Sequence, residues 1–257
     1  MERITSVKNP AIRGLKALRD GKGRAESGCF LVEGEVMIAE ALSCGLRAQV
    51  LLADEAHAGA AERFADSGAR ICVAPRSVLE AVCDTRTPQG VCAAFTQPAP
   101  VPLDAAPDRI VALDGTQDPG NVGTIWRTAD AAGFQGMLFG PGCADPLSPK
   151  VQRAAMGSGF RVPFMRADDL PAALAALRAR GYAVLASDLH GADFYRRPDP
   201  GRRFALVIGN EARGISDAVR EAATTLVRLP MRGGAESLNA AVAAGIMMYE
   251  LMRTQEG

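Results

Sequence analysis

Short apolar runs alternate with longer mixed segments along the whole chain. An apolar run of about five residues is typical of a buried strand, and apolar residues three or four positions apart are typical of a helix. Before residue 97 the pattern predicts strands at 30–32, 48–52, 70–73 and 90–95, and helices at 33–43, 55–67 and 75–82. This alternation predicts a small α/β domain.

A second series of elements follows a segment that is rich in proline. The prolines at positions 98, 100, 102 and 107 interrupt any helix or central strand, so residues 97–108 are predicted to be a linker between residues 1–96 and residues 109–257. After the linker the pattern predicts strands at 109–114, 136–139, 182–187, 204–208 and 225–228, and helices at 122–132, 151–156, 170–180, from 216, and at 240–252. Such alternation predicts a mostly parallel sheet that is buried on both faces.

The composition, 48% hydrophobic and 23% charged, is typical of a soluble globular protein. The chain has no run of about 18 apolar residues and no apolar core of a signal peptide after Met1, so we expect a cytoplasmic protein without a membrane span. The six cysteines form no C-x-x-C pair, and His57 and His190 are the only histidines. We therefore expect no metal site, buried free thiols and two histidines at the surface or in loops.

Charge is unevenly distributed, although the net charge is zero. Residues 1–32 contain seven basic and three acidic residues, which gives this segment a net charge of +4. Only four of the chain's basic residues are lysines, and arginine favours bidentate contacts with phosphate. A basic N-terminal segment is typical of a nucleic-acid-binding surface, but a genome base composition that favours arginine and alanine explains the same counts equally well.

Polar loops follow three predicted strands of the second domain, at 114–123, 209–214 and 229–239. Because ligands of parallel sheets bind beyond the carboxyl ends of the strands, we expect the three loops to converge on one site. In the third loop a glycine pair predicts a tight turn, and Ser237-Leu-Asn239 supplies the N-cap of an almost uncharged terminal helix.

Arg127 is an unusual charge next to the first loop. With Asn121 as the expected N-cap, Arg127 lies between one and two turns into the helix, where the positive partial charge of the helix N-terminus disfavours a cation. Two interpretations are open: Arg127 binds an anion such as an RNA phosphate, or it pairs with Asp130 or Asp114.

No single loop is diagnostic. Residues 209–214 alone are typical of an ordinary turn, and Ser237 with Asn239 is typical of an ordinary helix start. The chain contains no G-x-x-x-x-G-K-[ST] sequence, and Gly157-Ser-Gly159 follows no predicted strand, so neither an NTPase loop nor a conventional dinucleotide site is predicted.

Together and in order, the three loops resemble the motifs of the SpoU (TrmH-type) branch of the SPOUT RNA methyltransferases. The resemblance rests on NVGTIWR at 121–127, IGNE at 208–211, and LPM at 229–231 with SLN at 237–239. Residues 109–253 fit the catalytic domain of that family. Residues 1–95, with SVKNP at 6–10 and FLVEG at 30–34, resemble its basic lead-in and its ribosomal-protein-like (L30e-like) substrate-binding domain.

The resemblance implies a SPOUT-type parallel sheet with a C-terminal trefoil knot, and a homodimer. It implies S-adenosylmethionine bound in bent form by the backbone of the knot, and methyl transfer to a ribose 2′-hydroxyl of structured RNA. The implied substrate is 23S ribosomal RNA, with transfer RNA as the alternative. A non-catalytic RNA-binding protein would be expected to lose motif residues, all of which are present. A nucleotide-dependent oxidoreductase would need a glycine fingerprint that residues 114–123 lack.

By the same resemblance, two sets of residues form the site. The implied catalytic set is Arg127, Asn121, Glu211, Asn239 and Ser237, and the implied cofactor-binding set is Gly209, Leu229, Leu238, Ile208 and Met231. A guanidinium does not release its proton near neutral pH. We therefore expect Arg127 to bind the phosphate beside the reacting hydroxyl and to stabilise the developing alkoxide, rather than to act as a general base.

Overall fold

A computed structural model describes residues 1–83, 85 and 87–254 of the chain. The chain forms two compact units, and the first consists of residues 1–99 together with residues 145–160. Its elements, numbered in chain order over both units, are β1 (Glu2–Arg3), α1 (Pro10–Ala17), α2 (Gly21–Ser27), β2 (Cys29–Glu33), α3 (Glu35–Ser43), β3 (Ala48–Asp54), α4 (Ala58–Glu62), β4 (Arg70–Ala74), α5 (Arg76–Val82), β5 (Val91–Thr96), α7 (Pro149–Ala155) and all but the last residue of α8 (Ser158–Arg161).

The first unit contains a mixed five-stranded sheet with the strand order β1-β4-β3-β5-β2. Strands β1, β4 and β3 are parallel, whereas β5 runs antiparallel to both β3 and β2. Helix α1 buries Ile12 and Leu15 in the core of this unit. The basic segment 1–32 therefore contributes to the core through its apolar residues, while Arg13 and Lys16 of the same helix stay exposed.

Residues 145–160 belong to the first unit, although the composition break at 97–108 predicts a single boundary far from them. Arg24 is almost completely buried and donates from Nε to Asp145 Oδ2 at 3.0 Å and from Nη1 to the Leu18 carbonyl at 2.9 Å. The rings of Phe30 and Phe160 lie 6.3 Å apart. The first unit is therefore discontinuous in sequence.

The second unit consists of residues 100–144 and 161–257, of which 255–257 lie outside the described part. Its elements are β6 (Arg109–Leu113), α6 (Pro119–Ala131), β7 (Gly136–Phe139), β8 (Phe164–Arg166), α9 (Leu170–Ala179), β9 (Ala183–Asp193), β10 (Phe204–Ile208), α10 (Asp217–Ala222), β11 (Thr225–Arg228) and α11 (Ala240–Arg253). The strands pair in parallel in the order β11-β9-β10-β6-β7-β8, which confirms the predicted parallel sheet.

Strand β9 continues six residues beyond its predicted end, to Asp193. The polar residues Ser187 and Asp188 end the apolar run in the sequence, but pairing with β11 keeps the chain extended. At Gly191 the two strands approach so closely that an added Cβ would lie 2.5 Å from the backbone nitrogen of Val227. Glycine is therefore required there to let β9 and β11 pair.

The N-cap of α6 lies three residues before the predicted one, and the N-cap of α11 is the last residue of the predicted Ser237–Asn239 segment. Helix α6 begins at Pro119, which needs no N–H partner in a first turn, so Asp118 is the cap and accepts from the Asn121 nitrogen at 2.7 Å. Helix α11 is capped by Asn239 rather than by Ser237, because Asn239 Oδ1 accepts from the Ala241 nitrogen at 2.9 Å and also from the next nitrogen.

The glycine pair of the third loop, predicted to form a tight turn, forms a bend in which neither residue uses the conformational freedom of glycine. Neither Gly233 nor Gly234 is among the described glycines with positive φ, and an added Cβ at either position meets nothing within 4 Å. The backbone of this loop therefore does not itself require glycine at these two positions.

Helices α6 and α11 lie side by side and run in the same direction. Asn239 at the start of α11 contacts Asn121 in the first turn of α6, and Met252 near the end of α11 lies beside Gly133, just after α6. Between these ends, an added Cβ at Gly245 would lie 3.4 Å from Thr128 Cγ2. No helix in the described ranges is long and apolar enough to cross a membrane.

Candidate active site

The first and second loops leave the sheet side by side. Strands β6 and β10 are parallel neighbours, and their last residues, Leu113 and Ile208, lie opposite each other. Beyond the strands, Asn210 Nδ2 donates to the Gly115 carbonyl at 2.7 Å, and Thr116 Oγ1 donates to the Gly209 carbonyl at 3.3 Å. These side chains join the first two loops at the carboxyl edge of the sheet.

Gly209 lies where the second loop folds tightly back on itself. Asn210 and Gly214 pair through two backbone hydrogen bonds of 2.9 Å. An added Cβ at Gly209 would lie 2.3 Å from the carbonyl carbon of Gly214 and 2.4 Å from the nitrogen of Ile215. Because both atoms belong to the backbone, a side chain at residue 209 fits only if the loop moves.

Three side chains of the implied catalytic set form a hydrogen-bonded chain across the three loops. Asn239 Nδ2 donates to Asn121 Oδ1 at 2.9 Å, and Asn121 Nδ2 donates to Glu211 Oε1 at 2.9 Å. Glu211 also accepts from the backbone nitrogens of Gln117 and Asp118, each at 3.2 Å. The carboxylate of the second loop therefore holds the first loop, and Asn121 holds the start of α11.

These hydrogen bonds determine the protonation of Glu211. Partial burial raises the pKa of its carboxyl, but the hydrogen bonds from Asn121 and from the backbone of Gln117 and Asp118 outweigh burial, so the pKa is lowered from its ordinary value. A carboxylate with a lowered pKa is ionised at neutral pH and is a weak base. Glu211 is therefore suited to holding the loops together and poorly suited to taking a proton.

Arg127 is exposed on α6 and, among the described residues, has no hydrogen bond or ion pair. Asp130 is instead paired with Arg161, at 2.6 Å, and Asp114 Oδ2 accepts from the Ser216 nitrogen at 2.6 Å. The interpretation in which Arg127 pairs with Asp130 or Asp114 is therefore wrong. The guanidinium is available for an anion from outside the chain.

A cavity of ≈ 430 Å³ lies beside this junction, within the size range of small-molecule sites. Its walls come from the second and third loops, the start of α11 and the end of β9. Seven residues of the two implied sets line it: Ile208, Gly209, Glu211, Leu229, Met231, Ser237 and Leu238. Asn121, Arg127 and Asn239 do not line the cavity, so the structure separates them from the implied cofactor-binding set.

The sequence pattern missed one wall of the cavity. The extended end of β9 contributes Ser187, Asp188 and His190, and Arg220 and Arg228 also line the cavity. Asp188 is buried and lies 2.5 Å from a nitrogen of Arg220. The signal for this wall in the sequence is Asp188, an acidic residue one position beyond the predicted end of β9.

The cysteines contribute no visible chemistry to the site. Cys143 lies close to the first loop, where its thiol donates to the Leu113 carbonyl at 3.3 Å and burial raises its pKa. Cys44 is exposed, contrary to the expectation of buried thiols, since it caps the C-terminus of α3 at the surface. In the part of the chain that the structure describes, no three His, Cys, Asp or Glu residues are grouped to hold a metal ion.

Comparisons with known proteins agree with the geometry. Residues 108–249 match the model of the SpoU rRNA Methylase family, and residues 9–93 match that of the MRM3-like substrate binding domain. The chain is 36% identical to the 23S rRNA (guanosine(2553)-2′-O)-methyltransferase RlmP of Bacillus subtilis (strain 168), over 98% of this chain and 99% of that protein.

Two solved structures cover almost the whole chain. The AdoMet-bound rRNA methyltransferase from Sinorhizobium meliloti has a TM-score of 0.87 and 34% identity, with 98% of each chain covered. The SpoU methyltransferase AviRb from Streptomyces viridochromogenes, in complex with AdoMet, has a TM-score of 0.88 and 30% identity, with 97% of this chain and 99% of that chain covered. The chain belongs to the SpoU rRNA methylase family.

Proposed function

We propose that this protein transfers a methyl group from S-adenosylmethionine to a ribose 2′-hydroxyl of 23S ribosomal RNA, in the cytoplasm. The observation that carries the proposal is the junction of the three loops. Asn121, Glu211 and Asn239 form one hydrogen-bonded chain at the place where the second and third loops line a ≈ 430 Å³ cavity. Transfer RNA is the alternative substrate, because other relatives carry the combined name tRNA/rRNA methyltransferase.

The cavity suits S-adenosylmethionine in size and in chemistry. We assign Gly209, Leu229 and Leu238 to direct contacts with it, and Ile208 and Met231 to the surrounding wall. Apolar side chains complement the faces of an adenine ring, and the polar backbone of tight loops complements its edges. S-adenosylmethionine supplies an electrophilic methyl group when it is bound.

The residues outside the cavity are assigned to the RNA. Arg127 is exposed and lacks a partner in the described ranges, so its guanidinium can bind the phosphate beside the reacting ribose and stabilise negative charge on the hydroxyl oxygen. Asn121, fixed from both sides, positions the first turn of α6. The proton of the hydroxyl is released to solvent, and we assign Glu211 to holding the loops rather than to accepting that proton, because the lowered pKa of its carboxyl makes it a weak base. Ser237, the remaining residue of the implied catalytic set, lines the cavity.

A C-terminal trefoil knot is part of the proposal. Strand β11 lies at the edge of the sheet, and β9 and β10 separate it from β6. Helix α11 nevertheless packs beside α6, the helix that follows β6. Residues 229–239 therefore cross the carboxyl ends of β9 and β10 before α11 begins. A chain that crosses in this way beside the first and second loops is the arrangement that a knot requires, although knots are rare.

A homodimer is also part of the proposal. Helix α11 exposes Val242, Ile246 and Tyr249, which lie at helical spacing on one face. A stripe of exposed apolar residues on an otherwise buried helix supports its coverage by a second copy of the chain. For the first unit we propose RNA binding on an L30e-like fold, supported by the exposed basic residues Arg13 and Lys16 of α1.

Methyl transfer from labelled S-adenosylmethionine tests the proposal. Protein-free ribosomal and transfer RNA from cells without the gene are incubated with the purified chain, and the labelled nucleosides are identified by mass spectrometry. We expect a 2′-O-methylated nucleoside from 23S ribosomal RNA. If only transfer RNA were labelled, transfer RNA and not 23S ribosomal RNA would be the substrate. Binding of RNA without any transfer would support the non-catalytic alternative.

A further inference from the structure

Asp188 is a buried carboxylate on the wall of the cavity that none of the three motifs includes. Only 4% of its side chain is exposed, although the residue lines a cavity open to ligands. Its Oδ1 accepts from the backbone nitrogen of His190 at 2.7 Å, and its Oδ2 lies 2.5 Å from Nη1 of Arg220. Arg220 lines the same cavity.

Asp188 and Arg220 belong to different walls of the cavity. Asp188 lies on the extension of β9, which is held against β11 by the close approach at Gly191 and by Arg228, whose Nε donates to the Gly191 carbonyl at 3.0 Å. Arg220 lies on α10, which follows directly after the second loop. The ion pair therefore connects a firmly held strand to the helix that ends the loop containing Gly209.

The position of α10 depends on contacts with other elements, such as the ion pair of Asp188 with Arg220. It has six residues, of which Val219 is the only one that is buried, and a helix this short is not stable by itself. Its N-terminus is held by Ser216, whose backbone nitrogen donates to Asp114 Oδ2 at 2.6 Å. Its C-terminal half is held by Val219, by the pair of Asp188 with Arg220, and by Arg178, whose Nη1 donates to the Ala222 carbonyl at 3.2 Å.

Asp188 is buried and Arg220 is partly exposed, and stability alone does not explain an ion pair with a buried carboxylate, because apolar residues of similar volume often stabilise a protein equally well. An ion pair fixes the distance and direction between two elements more narrowly than an apolar contact does. We propose that Asp188 and Arg220 form a latch that positions the second loop for cofactor binding, so that both are positioning residues of the S-adenosylmethionine site. This inference rests on the proposed binding of S-adenosylmethionine in the cavity.

The test measures the dissociation constant for S-adenosylmethionine by calorimetry in wild-type, Asp188→Asn, Arg220→Gln and double-variant protein. We expect each single substitution to raise the constant about tenfold, which corresponds to about 1.4 kcal/mol. The double variant should bind no more weakly than the single variants, because both remove the same interaction. Arg220→Lys keeps the charge and should recover part of the affinity, and kcat at saturating S-adenosylmethionine should change little.

Asp217→Asn is the matched control. Asp217 also contacts Arg220, at 3.6 Å, but its side chain is 97% exposed and it does not line the cavity, so affinity should stay unchanged. The latch is refuted if Asp188→Asn lowers the melting temperature without weakening S-adenosylmethionine binding, or if the effects of the two substitutions simply add. If the wild-type protein itself does not bind S-adenosylmethionine, the proposed function fails, which is a distinct result.

Discussion

Replacement of Gly209 by alanine tests how the second loop forms the cavity. The added Cβ would lie 2.3 to 2.5 Å from three backbone atoms of Gly214 and Ile215, well inside the 3.0 Å limit that real Cβ atoms respect. Gly209 is not among the glycines with positive φ, so alanine adds no penalty from the backbone conformation itself. The effect of the substitution comes from the clash alone.

The expected magnitude follows from the cost of overpacking, about 1–3 kcal/mol when the surrounding atoms cannot move freely. If this cost falls on the loop conformation that binds S-adenosylmethionine, the dissociation constant rises roughly 5- to 150-fold, because each 1.4 kcal/mol corresponds to a factor of ten. Calorimetry measures the dissociation constant, and urea denaturation measures the free energy of unfolding of the same variant.

Gly234→Ala is the matched control for this experiment. It introduces the same methyl group in the third loop, where an added Cβ meets nothing within 4 Å. We expect wild-type affinity and stability for this variant. If Gly209→Ala also kept both, the close approach of the loop to itself would have no bearing on the cavity, and our account of Gly209 would be refuted.

Three further predictions concern the RNA side, the loop junction and the first unit. Arg127→Ala should abolish methyl transfer while S-adenosylmethionine binding by calorimetry stays at the wild-type level, and Arg127→Lys should not restore most of the turnover. Because folding lowers the pKa of Glu211, its carboxylate stabilises the folded state above its ordinary pKa of about 4.3, and this contribution is lost as the pH falls below that value. The difference in unfolding free energy between wild type and Glu211→Gln should therefore be constant near neutral pH and shrink below about pH 4, and a difference that grows on acidification would contradict this. Asp145→Ala leaves buried Arg24 without its carboxylate and should lower the urea-measured free energy of unfolding by about 3 kcal/mol, whereas Glu26→Ala, which breaks an exposed pair, should cost less than about 1 kcal/mol.

The second sheet was predictable because its central strands, β6 and β10, are almost continuous apolar runs. β6 and β10 are buried on both faces, so their sequences contain almost no polar residue inside the run. The motif residues at their ends were also predictable as a group, since parallel strands place their carboxyl ends at the same edge. The contacts of Asn121 with Glu211 and Asn239 agree with that expectation.

Other features depend on contacts between residues that are distant in sequence. The extension of β9 follows from its pairing with β11, and Ser187 with Asp188 gives the opposite signal locally. The place of residues 145–160 in the first unit depends on Arg24 and Phe30, more than a hundred positions away. The N-cap of α6 differs from the prediction for a local reason. Pro119 occupies the first position of the helix, so the cap is Asp118 and not Asn121.

The most direct test of the central claim is a map of 2′-O-methyl sites in total RNA from cells with and without the gene. We predict that one ribose methylation of 23S ribosomal RNA disappears without the gene and returns with the wild-type gene, but not with Arg127→Ala. A map in which no site is lost from ribosomal or transfer RNA would contradict the proposed function.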